Sequence, residues 1–179
     1  MATSYKLVFT GPVGAGKTTA IQTLSDIEVV RTEAQTSDEV RKLKRGTTVA
    51  MDYGIMRLAD GNRVHLYGTP GQKRFDFMWE ILTEDALGLV LMLRGNVADP
   101  VADLRTYVNE FRPFIDRTGL VVGITHTDVS RQPVRQTVSR ELEVLGLPPL
   151  AMDTDARDRR HMALLVRSLI YTIDPVTAS

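Results

Sequence analysis

The sequence predicts an α/β fold in which a mostly parallel β-sheet is covered by helices on both faces. Short apolar runs without polar alternation recur along the chain, as expected for strands that are buried on both sides. Segments with helical spacing follow most of these runs, and one β-hairpin signal interrupts the alternation. In folds of this class ligands bind at the carboxyl ends of the strands, so functional residues are expected directly after them.

The composition fits a single domain that covers residues 1–179. The hydrophobic fraction of 43% and the charged fraction of 25% are ordinary for a globular protein. A net charge of zero gives no reason to expect nucleic acid or an anionic membrane as a partner. The absence of cysteine excludes disulfides and cysteine-ligated metals. Because no signal peptide, long apolar segment or lipidation motif is found, we expect a cytoplasmic protein without a membrane anchor.

Five runs are predicted as strands. YKLVFT at 5–10, GLVLML at 88–93 and LVVGIT at 120–125 are apolar without alternation, which favours buried parallel strands. VAMDYGIMRL at 49–58 and NRVHLYG at 62–68 lie on either side of an Asp-Gly turn signal. This arrangement predicts a hairpin of two antiparallel strands.

Helical spacing of apolar residues is found in four later segments. Three of them, 101–111, 134–145 and 162–173, carry a clear apolar stripe and are predicted as helices. A fourth helix is expected to begin near Gln72, where the residues on one face are Phe75, Met78, Trp79 and Leu82. Phe77 and Ile81 form a second apolar face on this helix, which suggests a surface for a partner protein.

The motif GPVGAGKTT at 11–19 predicts a phosphate-binding loop, because it follows a predicted strand and opens a predicted helix. Gly11, Gly14 and Gly16 allow successive backbone N–H groups to point at phosphate oxygens, and the helix N-terminus favours an anion there. Lys17 is expected to contact the β- and γ-phosphates, and the Thr18 hydroxyl to bind Mg²⁺. The loop also contributes Val13, Ala15 and Thr19 as predicted nucleotide contacts. The alternative is a glycine-rich turn with a solvated lysine.

Asp128, in the segment THTD at 125–128, is the candidate for recognition of the base. A carboxylate accepts two hydrogen bonds from guanine, through N1–H and the exocyclic amine, whereas adenine lacks this pair of donors. The position of Asp128 directly after the predicted strand 120–125 favours this interpretation. The alternative is an aspartate that caps a turn or a helix.

In this order along the chain the motifs resemble those of the Ras-like small GTPase superfamily. THTD is similar to the family's N-K-x-D element, with Thr125 in place of the asparagine and His126 in place of the lysine. DTDAR at 153–157 resembles the family's TSAK segment. The segments 47–54 and 67–75 resemble a bacterial MglA-type subgroup of motility and polarity GTPases. The resemblance implies a three-layer P-loop G domain with a six-stranded, mostly parallel sheet and one antiparallel edge strand.

The resemblance also implies a mechanism in which a molecular switch binds GTP or GDP with Mg²⁺ and hydrolyses GTP. In it, Thr48 and Thr18 would bind the metal, Gly71 would contact the γ-phosphate and Gln72 would orient the attacking water. Ala156 would offer its backbone N–H to the guanine O6. Switch regions near 31–54 and 68–84 would engage regulatory or effector proteins, for example of the roadblock/LC7 type.

Arginines in the first switch region are candidates for a catalytic arginine supplied in cis. The polar segment 31–46 is long enough to be mobile and contains Arg31, Arg41 and Arg45. Arg45 is the leading candidate because it is closest in sequence to Thr48. The alternative is a solvated charge.

Two departures from the family pattern predict slow hydrolysis. Gly68 stands where the family has a metal-associated aspartate, so Mg²⁺ affinity is expected to fall by about 10–100-fold without being abolished. Val13 adds bulk beside the γ-phosphate. These departures leave a nucleotide-locked binding module as an alternative function. A P-loop small-molecule kinase is a third, although no arginine-rich lid is evident in the sequence.

Overall fold

A computed structural model describes residues 3–34, 49–69, 77–130 and 132–173. Seven strands form one sheet: β1 Ser4–Thr10, β2 Val30–Ala34, β3 Val49–Arg57, β4 Arg63–Gly68, β5 Gly88–Arg94, β6 Leu120–Thr125 and β7 Ala151–Asp153. The α-helices are α1 Lys17–Leu24, α2 Phe77–Thr83, α3 Pro100–Arg117, α4 Val134–Val144 and α5 Arg159–Ile173. A short 3-10 helix, Thr127–Val129, follows β6. The predicted α/β class, the five strands and the three helices with a clear apolar stripe are therefore confirmed. The helix expected to begin near Gln72 is described from Phe77 onwards, and its predicted start lies outside the described residues.

The strands are arranged in the order β2-β3-β4-β1-β5-β6-β7. All neighbouring pairs are parallel except those of β3, which runs antiparallel to both β2 and β4. The prediction of six strands with the antiparallel strand at the edge is therefore wrong. The additional strand, β2, lies in a segment whose polar sequence favours a mobile loop, because VRTEA has no apolar run. It forms a strand by pairing with β3 through the backbone.

Two apolar layers cover the sheet. Helices α2, α3 and α4 contribute to one layer, and α1 and α5 contribute to the other. Trp79 of α2 stacks on Phe111 of α3 with ring centroids 4.8 Å apart, and Leu82 is also buried. These two residues confirm part of the predicted stripe, whereas the side chains of Phe75 and Met78 lie outside the described residues. The layers hold the sheet rigid, so the loops at its carboxyl edge have a fixed base.

The longest described helix is α3. Asp99 caps its N-terminus by accepting a hydrogen bond from the backbone N–H of Ala102 at 3.0 Å, and Pro100 occupies the first turn. One face of the helix is buried and the other is solvated, as its apolar periodicity predicts. Among the described residues no helix combines the length and apolarity needed to cross a bilayer.

We predict that Leu142→Ala lowers the free energy of unfolding by about 2–5 kcal/mol, because the Leu142 side chain is fully buried beneath α4. Val144, two residues away on the same helix, is 77% exposed and provides the matched control. Val144→Ala is expected to change the free energy by no more than about 0.5 kcal/mol. Denaturant-induced unfolding measures both values, and equal losses for the two variants would contradict the described packing of α4.

Candidate functional site

A cavity of about 990 Å³ opens at the carboxyl end of the sheet, where the fold class predicts a ligand site. The loop between β1 and α1 forms one wall, and the segments that follow β6 and β7 form the other. The cavity therefore has two ends. We call the end that holds Lys17 and Thr18 the phosphate end, and the end that holds Asp128 and Ala156 the base end.

The phosphate loop has the backbone geometry that its glycines predict. Gly11 adopts a φ of 141°, and a Cβ at this position would lie 2.0 Å from the carbonyl oxygen of Met92. Gly16 has a φ of 95° and directly precedes α1. A residue with a side chain would be strained at either position, so the close curl of the loop depends on these glycines. Val13 and Gly14 are exposed along the cavity, and Ala15 is buried beneath the loop.

The side chain of Lys17 is folded back into the loop. Its ammonium donates hydrogen bonds to the carbonyl oxygens of Gly11 at 2.5 Å and Pro12 at 2.9 Å. Burial lowers the pKa of Lys17 to about 8, while the negative charge of Asp52 acts in the opposite direction. Lys17 thus retains a positive charge near neutral pH at the bottom of the phosphate end, where a phosphate would meet it.

Asp52 lies beside Gly68 and reaches the hydroxyl of Thr18. The two residues are directly opposite in the β3–β4 pairing, and Asp52 Oδ2 accepts a hydrogen bond from the Thr18 hydroxyl. A Cβ built on Gly68 would lie 3.0 Å from Cδ1 of Ile21 and 3.3 Å from Cβ of Asp52. A side chain at position 68 would therefore crowd both α1 and Asp52.

These oxygen atoms fit Mg²⁺ with a bound nucleotide. Mg²⁺ prefers oxygen ligands, keeps several waters and is commonly held by one or two protein groups together with phosphate oxygens. Thr18 and Asp52 provide a hydroxyl and a carboxylate beside the phosphate loop. No group of three or more His, Cys, Asp or Glu side chains that could hold a metal is found among the described residues. Thr18 and Asp52 are therefore the described residues that would hold Mg²⁺ together with phosphate oxygens and water.

Thr125 and His126 connect the base end to the phosphate loop. Thr125 is buried, and its hydroxyl donates to the carbonyl oxygen of Ala15 at 2.9 Å, with Leu93 O as a second acceptor at 3.2 Å. His126 has a left-handed φ of 57°, and its Nε2 lies 3.3 Å from the carbonyl oxygen of Gly14. The structure therefore places both residues along the cavity as supports of the phosphate loop.

Asp128 lies on the short 3-10 helix, exposed at the base end. In the segment that follows β7, Ala156 is buried, and its carbonyl oxygen accepts a hydrogen bond from the Thr23 hydroxyl at 2.6 Å. This bond joins the loop between β7 and α5 to α1. Asp128 and Ala156, the two residues predicted to contact the base, therefore lie in the same cavity as the phosphate loop.

A charged cluster surrounds Ala156 in the sequence. The Asp155 carboxylate accepts two side-chain hydrogen bonds from Arg157, at 2.9 and 2.8 Å. These bonds, the backbone N–H of Arg157 and its positive charge hold the pKa of Asp155 well below its usual range. His161 Nδ1 accepts a hydrogen bond from the Asp155 N–H at 3.0 Å. His161 thereby fixes the loop, and it also lines the cavity.

Several predicted site residues cannot be placed. Thr48, Gly71 and Gln72 lie outside the described residues, as do the candidate arginines Arg41 and Arg45. Arg31 is described, and it lines the cavity at the phosphate end. The remaining loop residue, Thr19, lines the cavity as predicted.

Sequence reasoning missed Asp52, although a signal for it was present. The hairpin turn at Asp60-Gly61 fixes the pairing of Arg57 with Arg63, and counting outwards along both strands places Asp52 opposite Gly68. His161 and Arg157 were missed for a different reason. Their approach to the cavity depends on how α5 packs, and local sequence patterns do not report this packing.

Comparison with known proteins supports nucleotide binding. A family model described as "Conserved hypothetical ATP binding protein" matches residues 9–177, almost the whole chain. An uncharacterized protein of Methanocaldococcus jannaschii is 38% identical over 77 residues, and the aligned part covers 42% of this chain and 42% of that protein. The chain therefore spans less than half of the length of this relative.

The assignment to the Ras-like superfamily and its MglA-type subgroup is wrong, because the family model that covers the chain is a different one. The phosphate-loop motif is shared by many nucleotide-binding proteins, and the remaining similarity rests on a few residues. The switch mechanism and the roadblock/LC7 partner depend on that resemblance and have no support without it. The chain belongs to the family of conserved hypothetical ATP-binding proteins.

Proposed function

We propose that the protein is a Mg²⁺-dependent hydrolase of a purine nucleoside triphosphate. The observation that supports this most is the arrangement at the phosphate end, where Lys17, Thr18 and Asp52 adjoin a glycine-rich loop. The match to a family described as ATP-binding supports the same class of ligand. A cavity of about 990 Å³ is large enough for a nucleotide.

Each residue at the phosphate end has a task that its geometry suggests. The loop N–H groups and Lys17 bind and neutralise the phosphates, and Lys17 exchanges its two carbonyl partners for phosphate oxygens. The Thr18 hydroxyl and the Asp52 carboxylate hold the metal in place. When bound, Mg²⁺ neutralises negative charge on the phosphate oxygens.

The proposed reaction transfers the terminal phosphoryl group to water. The water oxygen forms a bond to the γ-phosphorus while the bond to the β,γ-bridging oxygen breaks. The electron pair of the broken bond stays on the diphosphate, and a proton from water ends on the released phosphate. Such reactions depend mainly on positioning and charge neutralisation by the protein.

We propose further that the site prefers guanine to adenine. The support is Asp128, whose exposed carboxylate at the base end can accept both hydrogen bonds of the guanine N1–H and amine. The Ala156 backbone N–H, in the segment that follows β7, is proposed to contact the guanine O6. The family description names ATP, so a direct comparison of the two nucleotides decides this part of the proposal.

The lowered pKa of Lys17 predicts that nucleotide affinity depends on pH. Bound phosphate stabilises the ammonium form and raises the pKa of Lys17 from its value of about 8 in the free protein. Above pH 8 binding must therefore take up a proton, and affinity should fall by up to about tenfold per pH unit. Below pH 8 Lys17 is positively charged in both the free and the nucleotide-bound protein, so its titration does not make the affinity depend on pH.

Calorimetric titration between pH 7 and 9.5 measures this effect. Lys6→Ala is the matched control, because Lys6 also has a pKa lowered by burial but lies outside the cavity and donates to Glu84 O. Lys6→Ala should keep the pH dependence. Lys17→Ala should weaken diphosphate and triphosphate binding alike and remove the dependence. Native affinity that stays constant up to pH 9.5 would show that Lys17 does not meet phosphate.

Asp52→Asn is predicted to weaken Mg²⁺ binding to the triphosphate complex by about 10–100-fold, because an amide lacks the charge that the metal requires. Binding of diphosphate without metal should change little. Asp116→Asn, a half-exposed carboxylate at the far end of α3, is the control. Titration of Mg²⁺ against a fluorescent non-hydrolysable triphosphate gives both affinities. Unchanged metal affinity in Asp52→Asn would remove Asp52 from the proposed metal site.

Asp128→Asn is predicted to shift base preference from guanine towards xanthine. The native protein should bind GTP more tightly than ATP by roughly 10⁴-fold, because adenine leaves the carboxylate without its donors. The variant should gain affinity for xanthosine triphosphate, whose exocyclic carbonyl accepts a hydrogen bond from the new amide. Competition binding with the three nucleotides provides the measurement. Equal or tighter binding of ATP by the native protein would refute guanine recognition and leave triphosphate binding intact.

A further inference from the structure

Arg31 lies on the edge strand β2, directly beside Asp52 of β3. The two residues are directly opposite in the pairing of β2 with β3, so both side chains lie on the same face of the sheet. Arg31 Nε is 3.6 Å from Asp52 Oδ1, and the other carboxylate oxygen, Oδ2, accepts the bond from Thr18. One carboxylate therefore joins the exposed arginine to the phosphate loop.

Two arginines line the described part of the cavity, and they lie at opposite ends. Arg157 is at the base end, where the carboxylate of Asp155 engages its guanidinium through two hydrogen bonds. Arg31 is at the phosphate end, and its side chain is 68% exposed. Lys17 is buried beneath the loop and is directed at the carbonyl oxygens of Gly11 and Pro12. The positively charged Arg31 guanidinium therefore lies on the side of the phosphate end that faces solvent.

We propose that Arg31 binds the terminal phosphate of the nucleoside triphosphate and stabilises the charge that develops when that phosphate is transferred. This inference rests on the hydrolase function proposed above. It assigns the catalytic arginine to the edge strand β2, whereas sequence position alone favours Arg45.

The contact with Asp52 explains how the arginine is held ready. In the free protein Asp52 is the counter-ion of Arg31, across a distance that a small side-chain rotation can change. When a triphosphate and its metal are bound, the Asp52 carboxylate holds the metal together with Thr18. The terminal phosphate then attracts the Arg31 guanidinium more strongly than Asp52 does. A guanidinium suits this exchange because it can bind two phosphate oxygens at once.

The positive charge of Arg31 acts on the phosphoryl group while it is transferred to water. As the water oxygen bonds to the γ-phosphorus and the bond to the bridging oxygen breaks, negative charge shifts onto the leaving diphosphate oxygen. Arg31 can approach the terminal phosphate from the side opposite to Lys17, so the two cations would enclose it. Arginines that act in this way typically contribute about 10³–10⁵ in rate.

The test compares Arg31→Ala, Arg31→Lys and the control Arg63→Ala. Arg63 is an exposed arginine at the start of β4, at the opposite end of the sheet from the cavity. Two quantities are measured with GDP and with ADP: the dissociation constant of the diphosphate alone, and its dissociation constant with aluminium fluoride, which mimics the transferring phosphoryl group. Single-turnover hydrolysis of GTP and of ATP is measured in parallel.

Arg31→Ala should bind diphosphate within about twofold of the native protein, but lose tightening by aluminium fluoride and about 10³-fold in hydrolysis rate. Arg31→Lys should recover part of both losses, and Arg63→Ala should match the native protein. A diphosphate affinity that stays native in Arg31→Ala also shows that the variant is folded. Native aluminium fluoride response and rate in Arg31→Ala would overturn the role of Arg31 while leaving the hydrolase intact. Failure of the native protein to bind or hydrolyse either triphosphate would instead overturn the proposed function.

Discussion

The hydrogen bond between the Thr18 hydroxyl and the Asp52 carboxylate is the interaction on which the site depends. It joins the first turn of α1 to β3, across the position where Gly68 provides no side chain. A glycine at position 68 leaves room for the Asp52 side chain, because a Cβ there would press on Ile21 and Asp52. A carboxylate thus reaches the phosphate loop from a neighbouring strand.

The sheet topology brings the Asp52 carboxylate to this position. Because β3 lies antiparallel beside β4, a residue on β3 can face the carboxyl end of β4 directly. The additional strand β2 then pairs with β3 and brings Arg31 against Asp52. At the base end the hydroxyls of Thr125 and Thr23 bind carbonyl oxygens of Ala15 and Ala156, so that the loops around the cavity form one connected framework. Such preorganisation is what charge stabilisation in phosphoryl transfer requires.

The sequence predicted those features that local patterns determine. The buried strands, the hairpin and the amphipathic helices follow from apolar periodicity, and the phosphate loop follows from a motif whose glycines need left-handed backbone. The strand β2 was not predictable in this way, because five mixed residues become a strand only through pairing. The same holds for His161, which reaches the cavity only because α5 packs against the sheet. The family could not be derived from short motifs, since unrelated nucleotide-binding proteins share them.

A crystal structure of the protein with Mg²⁺ and a non-hydrolysable triphosphate would test the proposed metal and phosphate contacts most directly. We expect the triphosphate along the phosphate loop, with the Thr18 hydroxyl on the metal and the Asp52 carboxylate beside it. The Arg31 guanidinium should be turned from Asp52 towards the terminal phosphate. A metal held by other residues, with Asp52 still paired to Arg31 and distant from the metal, would contradict the role proposed for the carboxylate of β3.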